Sequence, residues 1–442
     1  MRRRSSLYVA VMGILLATSS CSSTDAPDAP ADSGEDTSAD AAPPIDGAVD
    51  AGATDVTPDA PPDSKTDAAS DASDDDARDA GDASSTPGVP VMPIISRHVP
   101  VFSSSNVYSP ATNANDDDYG TDYRSIGVPA WVAYDLSSVP SAHRGKVLVV
   151  YFNGSYAYNT VHGAHYNNLA AYTIEANAAA GGGAAPSSGW TTLATVSGNT
   201  LHSRQHVVDL AGSPWIRILV SASDGSSLNT DASFNQLDVY DLSSIGAPTD
   251  DWIFYRDSIT ACGMVTLPES GTEPFAVLLH AADATRWPVA ENGGEPFDRA
   301  GDGERHLLGT FDAAKGTGYL SIFPGHFVAL SYGMNDAGAT DPATYATSME
   351  ALVKAVLAAG KVPVIPKISY TNDAAHNAAI PALNAKIDEL YAKYPAIVHG
   401  PDFWTYFQSH LSLVGAADIH PTPAGYAAMR KLWAVAMRSA VY

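Results

Sequence analysis

The stretch HFVALSYGMNDAGATDPATYATSMEALVKAVLAAGKVPVIPKI, residues 326–368, decides the fold class. It opens with a short apolar run, His326 to Ser331, that leads into the turn Gly333-Met334-Asn335-Asp336. A helical segment follows from Pro342 to Ala359, with proline at its start and Gly360 just past its end, the usual asymmetry of helix termini. A second apolar run, Lys361 to Ile368, returns to strand. Strand–helix–strand alternation predicts a parallel sheet covered on both faces. In such sheets the active site lies at the carboxyl ends of the strands. The alternation continues on both sides: Trp252 to Arg256 reads as a strand, Ile380 to Tyr394 as a helix and Ala396 to His399 as a strand. An α/β domain is therefore expected over residues 248–442.

Within that span, three places carry polar residues of a particular kind: Asp257-Ser258 after Trp252 to Arg256, Gly333-Met334-Asn335-Asp336 after Phe327 to Ser331, and Asp418-Ile419-His420-Pro421 near the C-terminus, before a helix that starts around Pro423. Glu291-Asn292-Gly293-Gly294 lies between the first two. Taken singly, each is an ordinary cap or turn. Taken together, they suit ester hydrolysis. A serine hydroxyl is a weak nucleophile at neutral pH and needs a base within hydrogen-bond reach. His420 can accept the proton of Ser258, and a carboxylate such as Asp418 would hold the imidazole in the right tautomer. The oxyanion of the tetrahedral intermediate needs preorganised donors. The N–H groups of Ser258 and Gly294 and the amide of Asn335 are the candidates, glycine letting the backbone approach without a Cβ.

This set, in this chain order, resembles the SGNH, or GDSL, hydrolase family over about residues 248–442. Ser258 falls on the family's nucleophile, Gly294 on its second-block glycine, Asn335 on its third-block asparagine and His420 on its last-block histidine. The resemblance implies a three-layer, flavodoxin-like α/β domain that works as an esterase, lipase, deacetylase or acyltransferase and needs no cofactor. This chain departs from the family pattern twice. Arg256 stands where glycine usually precedes the Asp-Ser pair, and the position three before the histidine is Ala417, with Asp418 only two before. Either Asp418 orients His420, or the site is a Ser–His dyad.

Residues 93–245 carry short apolar or alternating runs separated by Gly, Ser, Asn and Asp, such as Lys146 to Phe152 and Trp215 to Ser221, with no long helical period. The pattern predicts an all-β sandwich. Asn115 to Tyr119, Trp131 to Leu136, Trp190, Trp215 to Ile218 and Leu237 to Tyr240 resemble a galactose-binding-like, discoidin-type jelly roll. The resemblance implies carbohydrate binding and a structural Ca²⁺, for which Asp116, Asp118 and Asp238 offer hard oxygen ligands. Tyr156, Tyr158, His162 and Tyr166 fall in one loop that would suit a sugar platform.

The first 21 residues read as a targeting segment: Arg2-Arg3-Arg4, an apolar run from Leu7 to Ala17, then Thr18-Ser19-Ser20-Cys21. The cysteine after small residues resembles a bacterial lipobox, which implies lipidation of Cys21 and a place at the outer membrane or cell surface. A plain signal would give a secreted or periplasmic protein. Residues 22–88 hold 18 Asp or Glu against Lys65 and Arg78 and almost no large apolar side chains, the composition of an extended spacer. The formal charge of −25, with no basic patch, argues against nucleic acid. Only two cysteines exist, Cys21 and Cys262; if Cys21 is acylated, Cys262 has no intramolecular partner, so no disulfide is expected and the cores must be large. The expectation is an exported serine esterase acting on an acylated carbohydrate. Lipase, thioesterase or acyltransferase activity, or a non-catalytic carbohydrate-binding surface protein, are the alternatives.

Overall fold

The computed structural model describes residues 88–152, 158–159, 164–165, 168–199, 201, 203–223, 231–264, 274–309, 318–416 and 418–442. Antiparallel strands come first in the chain. Val101–Ser103, Ala130–Asp135, Trp215–Ser223, Leu169–Asn177 and Thr191–Val196 form a five-stranded sheet in that spatial order. Ser203–Asp209, Lys146–Phe152 and Gln236–Asp241 form a three-stranded sheet. Period-two burial drives the pairing: Ile216, Ile218 and Val220 are buried, while Arg217 and Leu219 between them are only partly covered. Lys146–Phe152 is buried on both faces. Val147, Val149 and Tyr151 enter the sandwich core, and Leu148, Val150 and Phe152 pack with Tyr240, Leu242, Val289 and Trp287. That double burial explains its near-continuous apolar run.

The second half is a five-stranded parallel sheet. Its strands are β1 (Asp251–Arg256), β2 (Val289–Gly294), β3 (Phe327–Leu330), β4 (Val362–Lys367) and β5 (Val398–Asp402), in the order β2-β1-β3-β4-β5. This is the flavodoxin-like order, with its switch point between β1 and β3. The helices are α1 (Ser258–Gly263), α2 (Phe275–Ala282), α3 (Ala300–Leu308), α4 (Tyr319–Ile322), α5 (Pro342–Ala358), α6 (Ala374–Lys393), α7 (Phe403–Ser409) and α8 (Pro423–Ala440). α1 and α2 pack against α8, while α3 packs against α5 and α5 against α6. β1 is covered on both sides: Trp252 and Phe254 meet Phe275 of α2, and Phe254 also meets Trp433 of α8, while Tyr255 meets Tyr319 of α4. Each such buried aromatic contributes about 1.5–3 kcal/mol by leaving water. The long helices begin on side-chain caps. Asp341 accepts from the N–H groups of Ala343 and Thr344, Asp373 from His376 and Thr422 from Gly425. Gly360, at φ +70°, ends the turn after α5, a conformation that glycine adopts without strain.

The two halves meet through buried polar groups as well as apolar ones. The amide of Gln205, on the sandwich strand Ser203–Asp209, donates to Asp251 of β1 and Glu291 of β2, both at 2.9 Å. Arg286 donates to the Val89 carbonyl at 2.8 Å, and the Trp287 indole donates to the Tyr119 hydroxyl at 2.9 Å.

Burial pushes the Glu291 carboxyl up from 4.5 to about 8, against the Gln205 hydrogen bond and the Arg204 charge, which favour the ionised form. Its folded-state pKa therefore lies above the unfolded value. The stability linked to it is fully present below the unfolded pKa and is lost as pH rises toward about 8. Thermal melts at about pH 5 and about pH 8.5 should show a smaller drop for Glu291→Gln than for the native chain. Equal drops in the two proteins would mean that Glu291 is not neutral in the fold.

Candidate active site

The site forms where β1, β2 and β3 end. β1 stops at Arg256, whose backbone pairs with Gly294 of β2. Asp257 caps α1 by accepting the Ile259 N–H at 2.9 Å, which makes Ser258 the first residue of α1. This turn directs the serine hydroxyl across to the loop before α8. Ser258 Oγ lies 2.9 Å from His420 Nε2, and His420 Nδ1 lies 3.0 Å from Asp418 Oδ1. The three side chains are 162 and 2 residues apart in sequence, yet they form one hydrogen-bonded series.

The short Asp418–His420 spacing works because the loop folds back on itself. The Gly415 N–H donates to the His420 carbonyl at 2.9 Å, and Val414 bridges Pro421. Asp418 Oδ1 also accepts the N–H groups of Ile419 at 2.6 Å and His420 at 3.2 Å. Partial burial would raise this carboxyl, but the hydrogen bonds and charge of His420, together with the backbone donors, hold it below the usual carboxylate range. An ionised partner at Nδ1 leaves Nε2 able to accept the Ser258 proton. The carboxylate, rather than a dyad, orients the ring in this geometry.

After β3, Gly333 takes φ +132°, and a Cβ there would strike Ile368, so the turn requires glycine. The turn presents Asn335, whose Nδ2 donates to the Asp298 carbonyl at 3.0 Å, leaving its second amide hydrogen for another acceptor. Asp336 accepts the Ala300 N–H at 3.0 Å and so holds the start of α3. Asp298 in turn pairs with His306 at 2.7 Å, and this contact raises the imidazole above its ordinary value.

Gly294 departs from expectation. Its N–H already donates to Asn292 Oδ1 at 3.0 Å, and a Cβ at this position would lie 2.3 Å from the Ala261 nitrogen. The glycine permits close approach of α1 rather than of a substrate, and its N–H is not available as an oxyanion donor. Beyond it, Phe297 occupies φ +70° with 68% of its surface exposed, next to the carbonyl that Asn335 grips. Nothing in the sequence marks Phe297, because a bulky residue is disfavoured at positive φ and only glycine signals such a turn.

The expected Ca²⁺ site is also corrected. Asp116 accepts from the Gln236 amide at 2.7 Å and the Thr121 hydroxyl at 2.8 Å, Asp118 accepts the Gly120 N–H, and Asp238 pairs with Arg97 at 2.8 Å. A guanidinium thus supplies the positive charge at Asp238. No group of three or more His, Cys, Asp or Glu among the described residues is arranged to hold a metal ion. Tyr156, His162, Tyr166, Ala417 and Cys21 lie outside the described residues, and only the backbone of Tyr158 and Arg256 is described.

Residues 257–428 match the model of the GDSL-like lipase/acylhydrolase family. With the parallel sheet and the site geometry, that match supports an ester hydrolase domain over those residues. No curated protein sequence matches the chain. Similar solved structures include a family two carbohydrate esterase from Cellvibrio japonicus, at 13% identity, covering 79% of this chain and 97% of that one with a TM-score of 0.35. Another is the psychrotrophic esterase EstA from Pseudoalteromonas sp., at 16% identity, covering 43% and 97% with a TM-score of 0.34. A third is chitosan-binding module 1 of a chitosanase/glucanase from Paenibacillus sp. IK-5, at 15% identity, covering 33% and 98% with a TM-score of 0.25.

Gly294→Ala should destabilise the fold by about 1–3 kcal/mol, since the backbone of α1 must move to admit the methyl group. A denaturant midpoint equal to that of the native chain would show that α1 yields freely there.

Proposed function

We propose that the protein is an exported serine esterase that removes acetyl or another short acyl group from a polysaccharide or glycoconjugate. The observation that carries the reading is the hydrogen-bonded series Ser258–His420–Asp418 at the carboxyl edge of the sheet. In this reading Ser258 Oγ attacks the ester carbonyl as its proton passes to His420 Nε2. Asp418 holds the imidazole and stabilises its positive charge. The free amide hydrogen of Asn335 and the N–H of Ser258 stabilise the oxyanion. Collapse of the intermediate expels the alcohol, which takes the proton from His420. Water, activated by the same imidazole, then releases the acid and restores the serine. The sugar ester is favoured by the sandwich, whose sequence resembles galactose-binding-like jelly rolls; that argument is from fold class alone.

Ser258→Ala should abolish acetate release from acetylated polysaccharides, and hydrolysis of a short p-nitrophenyl ester, while leaving the melting temperature within a few degrees. Undiminished turnover would sink the mechanism. Release from p-nitrophenyl acetate but from no acetylated glycan would leave the esterase and remove the sugar.

We further propose that the acidic spacer tethers the enzyme to a membrane through acylated Cys21, a form in which Cys21 is not available to the disulfide-bonded Cys262. Cys21→Ser in a bacterial host should move the protein from the membrane fraction to the soluble exported fraction. Unchanged fractionation would refute the anchor.

A further inference from the structure

His420 sits on a loop, and catalytic groups must be held within about half an ångström of their working geometry. The fixing contacts come from the loop that follows β4. Thr371 is fully buried, and its hydroxyl donates to the carbonyl oxygen of Asp418 at 2.6 Å. The Asn372 amide lies 3.1 Å from the Gly415 carbonyl and 3.2 Å from that of Val414. The β4 loop is itself pinned to α6. Asn377 accepts the Thr371 N–H at 3.1 Å and donates to the Thr371 carbonyl, and Asn384 accepts the Ile368 N–H at 2.8 Å.

One peptide unit explains why this matters. The Asp418 carbonyl and the Ile419 N–H belong to the same rigid plane. The Asp418 carboxylate binds the N–H end of that plane at 2.6 Å, and Thr371 binds its C=O end at 2.6 Å. The same carboxylate oxygen faces His420 Nδ1. If the plane turns, the carboxylate turns with it and leaves the imidazole.

We propose that Thr371 and Asn372 are positioning residues for the Asp418–His420 pair. Neither touches substrate: Thr371 locks the 418–419 peptide, and Asn372 fastens the other end of the loop. The inference rests on the esterase reading above. It deepens that reading by naming what holds the general base in place.

The test uses the full chain with p-nitrophenyl acetate, and labelling of Ser258 by a fluorophosphonate as a readout independent of substrate. Thr371→Val removes the hydroxyl at nearly constant shape, and Thr371→Ser keeps it. We expect Thr371→Val to lower kcat about tenfold or more, with KM within about threefold and with slower labelling, and Thr371→Ser to restore most of the rate. In an Asp418→Asn background Thr371→Val should cost less than about twofold, because the two act through one interaction. A native kcat in Thr371→Val, a full additive loss in the Asp418→Asn background, or a serine variant no better than the valine one would overturn the proposal. If Thr371→Val does not fold, Asn372→Ala at its exposed site takes its place. A slowed kcat that is not additive with Asp418→Asn supports the inference, and an unchanged kcat overturns it. A native protein that neither turns over nor labels removes the esterase reading and this inference together. An active, labelled native protein indifferent to Thr371 removes only the inference.

Discussion

β1 has β2 on one side and β3 on the other, all three parallel, and the site depends on that placement. The chain leaves the carboxyl ends of β1 and β3 toward different helices, which opens a crevice between them. Ser258 stands at one lip and Asn335 at the other, each fixed by the turn that ends its strand. The placement is secured by burial: Trp252 stacks on Phe327 of β3 at 4.2 Å between ring centres, so the two strands that carry the site are joined through their core.

The same strand meets the sandwich. Asp251 begins β1 and accepts from Gln205, and Gln205 also reaches Glu291 one strand away. Burial pushes Asp251 well above the carboxylate range, with the nearby Glu291 charge acting in the same direction. Two buried carboxyls beside one amide are tolerable only if charge is kept off them. Around them Leu148, Val150, Phe152 and Tyr240 of the sandwich pack with Val289. Detaching the sandwich would expose this apolar surface and both carboxyls, so the β-rich half is part of the support of the parallel sheet rather than an appendage.

What could be read from the sequence follows from what sequence patterns encode. Alternation of apolar runs and capped helices revealed the parallel sheet, and the double-sided apolar run at Lys146–Phe152 marked a strand without revealing that its second face meets another domain. Ser258 and His420, which the fold brings within 2.9 Å, were legible because a nucleophile–base pair restricts residue type. Asp418 was ambiguous because spacing along a chain does not report how a loop folds back, and here the Gly415–His420 hydrogen bond decides it. Gly294 misled for a related reason. A glycine signals that something approaches closely, not what approaches, and α1 is what arrives. The acidic residues 116, 118 and 238 misled because carboxylates read alike whatever faces them: here Gln236 and Thr121 meet Asp116, the Gly120 N–H meets Asp118, and Arg97 meets Asp238.

The turn holding Phe297 shows how the site's parts support one another. A left-handed conformation costs a non-glycine residue about 1–2 kcal/mol, so something must offset it. The offset comes from the turn after β3 and from α3: Asn335 grips the Asp298 carbonyl, Asp336 receives the Ala300 N–H, and His306 of α3 closes on the Asp298 carboxylate. Asn335 therefore has a structural task, and in the proposed mechanism a second one that the first would serve. The hydrogen it gives to Asp298 fixes the amide plane, and under the proposed mechanism a fixed plane would let the remaining hydrogen meet developing charge without reorganisation. The turn holding Phe297 and the turn that presents Asn335 are therefore joined through Asp298, beside the strand pair that also carries Ser258.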